Sequence, residues 1–329
     1  FQAEDGIRDR SPSRGLGDVY KRQYITRRLL WLPVLLLMVS AVTFVLGTYG
    51  PGDPVRVMLG TKYDEDTADR LRSSLGLDRP IVVQYIDYVS GAIRGDFGES
   101  LRYRGRSVGS LLASKMWVSF QVNLAAMVVS LSIGLPLGFW IARHQGSWID
   151  PAAISFTLVL MSIPIMVSIP IVLWALCLKL SWVPCSGWGG FFDLRIVVPA
   201  ITMGVPGVAG LARLMRASTL DVFGQDFVRT ARAKGLSEST IDIRHVLRNA
   251  IIPIITILSF SLAGMLTTGF ITERLLGIPG VGDFAIQAIF NRDYPVIMAF
   301  TMILSAAFVV ANLLADIAYS LIDPRIRLS

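Results

Sequence analysis

The chain reads as an all-α integral membrane protein, with six transmembrane helices and a small helical extracytoplasmic loop domain. Three observations predict this. Of the 329 residues, 53% are hydrophobic and only 17% charged, whereas soluble domains are about a quarter charged. The mean hydropathy is +0.57. Six separate runs are apolar over the roughly 20 residues that a helix needs to cross a hydrocarbon core. The formal charge of +7 comes without a basic-aromatic patch, which argues against nucleic acid; the positive-inside bias of membrane proteins accounts for it. Two histidines, His144 and His245, are too few for a His-based metal or catalytic cluster. Cys177 lies in an apolar run and Cys185 in a loop, so neither a disulfide nor a metal site is expected.

The first 23 residues are polar, aperiodic and rich in Gly, Arg and Asp. They are set apart as a non-native or disordered tail, and the membrane-spanning body is taken as residues 24–329. The spans are expected at about 29–48, 116–142, 152–178, 196–212, 250–271 and 295–319. Pro164 to Pro170 in the third reads as a hinge or packing feature. In the fourth, Pro199, Gly204, Pro206, Gly207 and Gly210 are expected to break the helix. Between spans one and two, the outer loop of about residues 50–115 carries two helical patterns. One starts at Asp64, with early acids, Leu71 and Leu75 at i,i+4, and Gly76 as its stop. The other starts at Ile81, with Val82, Tyr85, Ile86 and Val89 on one face. The segment from Gly277 reads as a Gly/Pro turn and a short surface or re-entrant helix.

Orientation follows from Arg27, Arg28, Arg143, Arg213, Arg216, Arg229, Arg232, Lys234, Arg244, Arg248, Arg325 and Arg327, all on one side of a six-span chain. That side is the cytoplasm, and both termini lie there. On it, between spans four and five, sits the loop of about residues 213–250. Its core, DFVRTARAKG, has Asp226 where a carboxylate favours a helix N-terminus, Lys234 in the last turn and Gly235 as a left-handed stop. Phe227, Thr230, Ala231 and Lys234 share a face by spacing. Ala231 and Ala233 are small enough for another surface to approach, and Arg229 and Arg232 offer forked hydrogen bonds. A second helical piece, about Glu238 to Asn249, leads into span five. Two readings stand side by side: an amphipathic loop lying on anionic lipid, or a protein-docking element.

No G-x-x-x-x-G-K-[ST], G-x-S-x-G, H-E-x-x-H or CxxC occurs in the sequence, so the chain carries no Walker phosphate cradle and none of these catalytic signatures. Gln121 and Asn123 in span two are candidates for the translocation path, or equally for interhelical hydrogen bonds. His245 reads as solvated or packed, and Lys179 as a snorkelling side chain. Asp316 lacks a partner acid in another span. An ion-coupled secondary carrier predicts mid-span charges and an internal repeat, and a membrane enzyme predicts a paired nucleophile and base; the sequence offers neither.

RTARAKG, Arg229 to Gly235, resembles the EAA loop of binding-protein-dependent ABC transporter permeases, in the form found in the dipeptide/oligopeptide/nickel branch. The family motif is Glu-Ala-Ala, three variable residues and Gly. Here Arg229 and Thr230 stand at the first two positions, Ala231 at the third and Gly235 at the glycine. The Glu is absent, and Pro253 is the nearest proline to the motif's tail. PGDPV from Pro51, LGLDRPIVVQY from Leu75, RGDFGESLRYRGRSV from Arg94, GIPGVGDFAIQAIFNRDYPVI from Gly277 and DPRIR from Asp323 resemble the B-type subunit of that branch. The resemblance spans about residues 24–329. It implies that Asp226, Phe227, Arg229, Thr230, Ala231, Arg232, Ala233, Lys234, Gly235 and Leu236 form a coupling helix seated on an ATPase subunit. It implies a non-catalytic subunit that binds no cofactor, with ATP and Mg used by two partner ABC ATPases. The other implied partners are a second permease subunit, alike or different, an extracytoplasmic substrate-binding protein meeting the outer loop, and membrane lipid. The implied cargo is dipeptides or oligopeptides, or nickel or other small solutes. The implied location is the bacterial or archaeal cytoplasmic (inner) membrane.

Overall fold

A computed structural model describes residues 12–49, 54–59, 63–74, 76–265 and 269–322. Pro51 to Asp53, Leu75 and the closing Asp323–Arg327 motif lie outside the described residues, as does the side chain of Asp316. Among the described residues the fold is helical, with a single isolated bridge between Glu99 and Ser107.

Helix α1 (Pro12–Tyr49) contains the first span, Leu30–Thr48. Its backbone is helical from Pro12; once a helix is nucleated, each further residue adds a hydrogen bond. Residues 1–11 lie outside the described residues. After the first span follow α2 (Pro54–Leu59), α3 (Glu65–Ser74) and α4 (Ile81–Ile93). Asp64 caps α3, accepting from the Thr67 backbone N–H at 3.1 Å. Gly76, at φ +67°, ends the segment, and the Leu77 N–H returns to the Arg72 carbonyl. Helix α4 docks on α1 through Tyr85 and Tyr88, whose rings lie 5.4 and 5.8 Å from Phe44. Val82 and Ile86 are exposed, so the packing face is rotated from the one expected.

Helix α5 (Val108–Arg143) begins eight residues before the expected span, because Val108, Leu111 and Leu112 bury against Val281, Phe284, Ala288, Val296 and Ala299. The third span is two helices, α6 (Ile149–Ser162) and α7 (Ile165–Leu173), the latter continued by a π-helical turn to Lys179; the two halves meet at 96°. The bend sits at Ile163, extended at ψ 115° as a residue before proline must be, while Pro164 has no N–H to continue the ladder.

Helix α8 (Val197–Phe223) is continuous, contrary to the expected break. Pro199 falls in its first turn, where the missing N–H costs nothing. Its glycines serve packing: α5 and α8 form the most extensive helix pair. A Cβ on Gly204 would stand 3.0 Å from the Ala126 carbonyl oxygen, and one on Gly134 3.0 Å from that of Val208. The Ser130 hydroxyl crosses the same seam to the Gly204 carbonyl at 2.9 Å.

Beyond α8 come α9 (Asp226–Ala233), α10 (Glu238–Thr240), a π-helical stretch (Ile241–Leu247), α11 (Arg248–Ala250) and α12 (Ile252–Gly264). Helices α13 (Phe270–Leu276), α14 (Val281–Phe290) and α15 (Tyr294–Ile322) close the chain. Among the described residues, four helices are long and apolar enough to cross a membrane, and the bent α6–α7 pair makes five. The expected fifth span is represented by the 13 residues of α12.

Cys177 and Cys185 form a disulfide, with Cα atoms 5.3 Å apart, which corrects the expectation of none. The chain turns back after Lys179, where the Trp182 N–H reaches the Leu176 carbonyl, and this carries Cys185 to the end of the apolar run.

Candidate functional site

Helix α9 is short and two-faced. Val228 and Ala231 are buried against Ile241 and Val246, with Phe139, Val222 and Phe223 packed around them. The spacing places these two residues on one side of the helix. Ala231 therefore belongs to the inward face, a correction to its expected place on an approach surface. Asp226, Phe227, Arg229, Thr230, Arg232, Ala233, Lys234, Gly235 and Leu236 are exposed, Phe227 by 43% despite its apolar ring. The Thr230 hydroxyl bonds back to the Asp226 carbonyl at 2.9 Å, and Arg229 lies 3.6 Å from the Asp226 carboxylate. Gly235 adopts φ +74°. Its N–H donates to the Arg232 carbonyl, and the Leu236 N–H to that of Ala231, closing the helix in a Schellman-like turn.

Charged side chains fasten this insert to the spans. Arg143, the last residue of α5, donates from Nε to Asp242 Oδ2 at 2.8 Å, again to that oxygen from Nη2, and to Glu238 Oε2 at 3.4 Å from Nη1. Arg232 donates to Glu238 Oε1 at 3.0 Å. The Arg232 hydrogen bond holds the Glu238 carboxyl below its ordinary range; desolvation opposes it, and the positive charges of Arg232 and Arg143 add to the lowering. Nearby, Asp150 at the start of α6 accepts two bonds of 2.6 Å from Arg216 on α8, a fork-on-carboxylate pair that is largely buried. The Ser218 hydroxyl reaches the Ala250 carbonyl at 2.8 Å.

A cavity of about 960 Å³ opens between α5, α8, α12 and α13, and no charged side chain is among its described lining residues. Asn123 lines it, but its amide is committed to the Ser119 and Met265 carbonyls at 2.9 and 2.8 Å. Gln121 is half-buried and is not among the lining residues. At one margin Glu273 is buried and accepts from the Ser119 hydroxyl at 2.5 Å and the Asp283 N–H at 2.9 Å. This ties α5 to the start of α14. Between α14 and α15 Asp293 is also buried, accepting from the Ser100 hydroxyl at 2.5 Å and the Leu101 N–H at 3.1 Å. Lys179 lies 5.2 Å from the Trp174 ring centroid.

The sequence brought α9 forward but not the groups that hold it. Arg143 entered only as a mark of orientation. The available signal was Glu238 and Asp242, two acids at i,i+4 on one helix face beside a basic loop. Glu273, Asp293 and the Asp150–Arg216 pair join residues too far apart in sequence for any local pattern to reveal.

Residues 134–328 match the family model described as binding-protein-dependent transport system inner membrane component, and residues 21–120 match that of its N-terminal part. A probable peptide ABC transporter permease of Sinorhizobium fredii is 34% identical over 310 residues, covering 92% of this chain and 99% of that protein. A dipeptide transport system permease of Bacillus subtilis is 35% identical, with 93% and 98% covered. A glutathione transport system permease of Escherichia coli K12 is 33% identical, with 92% and 98% covered. Among solved structures, a chain of the inward-facing MetNI methionine ABC transporter superposes with a TM-score of 0.50 at 15% identity, covering 65% of this chain and 96% of that one. This last likeness is one of fold.

Proposed function

The chain belongs to the family of binding-protein-dependent transport system inner membrane components, and on that footing we propose how its parts divide the work. It is a multi-pass permease subunit of an ABC importer. Helix α9, residues 226–235 with Leu236, is the element on which an ATPase subunit docks. The observation that carries this reading is the division of α9 into two faces: Val228 and Ala231 grip the span ends, while Phe227, Arg229 and Lys234 stand free for a partner. Two ATPases bind and hydrolyse ATP with Mg. Their closure displaces α9, and the spans follow as packed bodies between two discrete arrangements.

A second permease subunit faces this one across the membrane, and the cavity bordered by α5, α8, α12 and α13 contributes to the path. A substrate-binding protein on the far side delivers dipeptides or oligopeptides to the surface built by α2–α4. The substrates in the names of the relatives support a peptide cargo, and so does a path wall without fixed charge among its described residues, which tolerates side chains of either sign. The membrane is the cytoplasmic one, with α9 and both termini inside.

Copurification tests the docking role. The chain, co-expressed with its cognate ATPase subunits, retains them in detergent; with residues 226–235 replaced by a Gly/Ser linker it inserts but retains none. Gly235→Leu is the finer probe. A Cβ there touches nothing within 4 Å in this chain, yet the left-handed backbone costs a side-chain-bearing residue about 1–2 kcal/mol, and the leucine projects toward the partner. ATPase retention, or stimulated ATP turnover, falls while insertion persists. A Gly235→Leu chain that assembles and couples normally removes the assignment.

A further inference from the structure

The apolar floor beneath α9 holds it in place but does not fix the direction in which it moves. Burial of Val228, Ala231, Ile241 and Val246 is non-directional and tolerates sliding of one smooth surface over another. Direction comes from the guanidinium of Arg143. It is the terminal residue of α5, and its carbon lies 5.8 Å from the Phe223 ring centroid at the end of α8. Through Asp242 it holds the π-helical stretch that leads to span five, and through Glu238, which Arg232 shares, it holds α9 itself. The ends of α5 and α8, α10 and the π-helical stretch thus meet on one planar, rigid group, and α9 joins them through Arg232 and Glu238.

The Asp242 side chain is only 13% exposed, its Oδ2 is bonded solely to Arg143 among the described residues, and its Oδ1 is buried without a hydrogen-bond partner. Arg143 is thus the hydrogen-bond partner of this carboxylate among the described residues. π-Helical turns of this kind concentrate at functional positions.

We propose that Arg143 is a positioning residue for energy coupling: it turns displacement of α9 by a docked ATPase into displacement of α5. This rests on the coupling role given to α9 above. The reporter is a cysteine at Ser110, near the outer end of α5, in a chain with Cys177 and Cys185 replaced by serine. The complex with its ATPases is reconstituted in liposomes, and the maleimide labelling rate of that cysteine is compared without nucleotide and with ATP plus vanadate.

With Arg143 intact, the nucleotide changes the labelling rate. With Arg143→Gln, the ATPases stay bound and hydrolyse ATP, and the nucleotide-dependent change shrinks about tenfold, within the range typical of mutations between coupled sites. Arg143→Lys, which keeps a cation facing both Asp242 and Glu238, retains most of the response while Arg143→Gln loses it at equal ATPase binding and turnover, a split that a purely structural role would not predict. An Arg143→Gln complex that responds like the parent overturns the proposal. So does loss of the ATPases in both Arg143→Gln and Arg143→Lys. If the parent chain itself binds no ATPase or shows no response, the coupling role of α9 fails first, so the two failures are distinguishable.

Discussion

Gly138 has no side chain at the point where α5 crosses α8, and the missing atom is what permits the crossing. A Cβ there would stand 2.7 Å from the Met215 Cβ and 2.9 Å from the Ala212 Cα. Gly138→Leu overpacks this seam, and overpacking costs about 1–3 kcal/mol. The expected result is a lower thermal midpoint for the solubilised chain, read by intrinsic fluorescence. Gly210, in the same helix pair, has nothing within 4 Å of its virtual Cβ, so Gly210→Ala leaves the midpoint unchanged or slightly raised through helix propensity. Equal shifts in the two variants would mean that the glycines do not set the approach of α5 and α8.

Element by element, what the sequence made legible was whatever is decided locally. The stop of α9 at Gly235 needs only a left-handed glycine, and the cap of α3 only an acid three residues ahead of Thr67. Helix α8 was misread because Pro199 and its glycines act as breakers in isolation. Their effect here depends on α5, about 70 residues earlier, which fills the space they leave. The bond between Cys177 and Cys185 was missed for a related reason: the reversal after Lys179 is a property of the folded loop and not of the spacing between the cysteines.

The fastening of α9 carries a pH signature. The Glu238 carboxyl is held below its ordinary range by Arg232 and Arg143, so its contribution is fully present above the unfolded carboxylate value and is lost as pH falls through the lowered one. Amide hydrogen exchange over residues 226–247, corrected for intrinsic rates, is expected to stay flat from about pH 8 to about pH 5 and to accelerate below about pH 4. Glu238→Gln removes that acid limb. Acceleration already at neutral to mildly acidic pH would point to another titrating group and remove Glu238 from the account.

At the scale of the whole molecule, the loop carrying the disulfide and the α2–α4 surface are both assigned to the outer face. Disulfides persist in oxidising compartments, which agrees with that side. In a chain lacking both native cysteines, Ser73→Cys on α3 is expected to react with a membrane-impermeant maleimide on intact cells, and Ser237→Cys, beside α9, only after permeabilisation. The reverse pattern would invert the topology. Helix α5 joins the two faces without interruption. At 36 residues it is about 54 Å long, well beyond the roughly 30 Å of a hydrocarbon core. Near its inner end Gly138 rests on α8, a contact that would serve as a fulcrum if α5 turned there as a rigid body. From there Arg143 is about 8 Å away and Ser119, bonded to Glu273, about 28 Å in the opposite direction. A rigid rod on such a fulcrum is an unequal lever: Ser119 swings opposite to Arg143 and roughly three to four times as far. One ångström of travel at the cytoplasmic end then becomes a side chain's width at the outer one, and the two ends cannot move inward together.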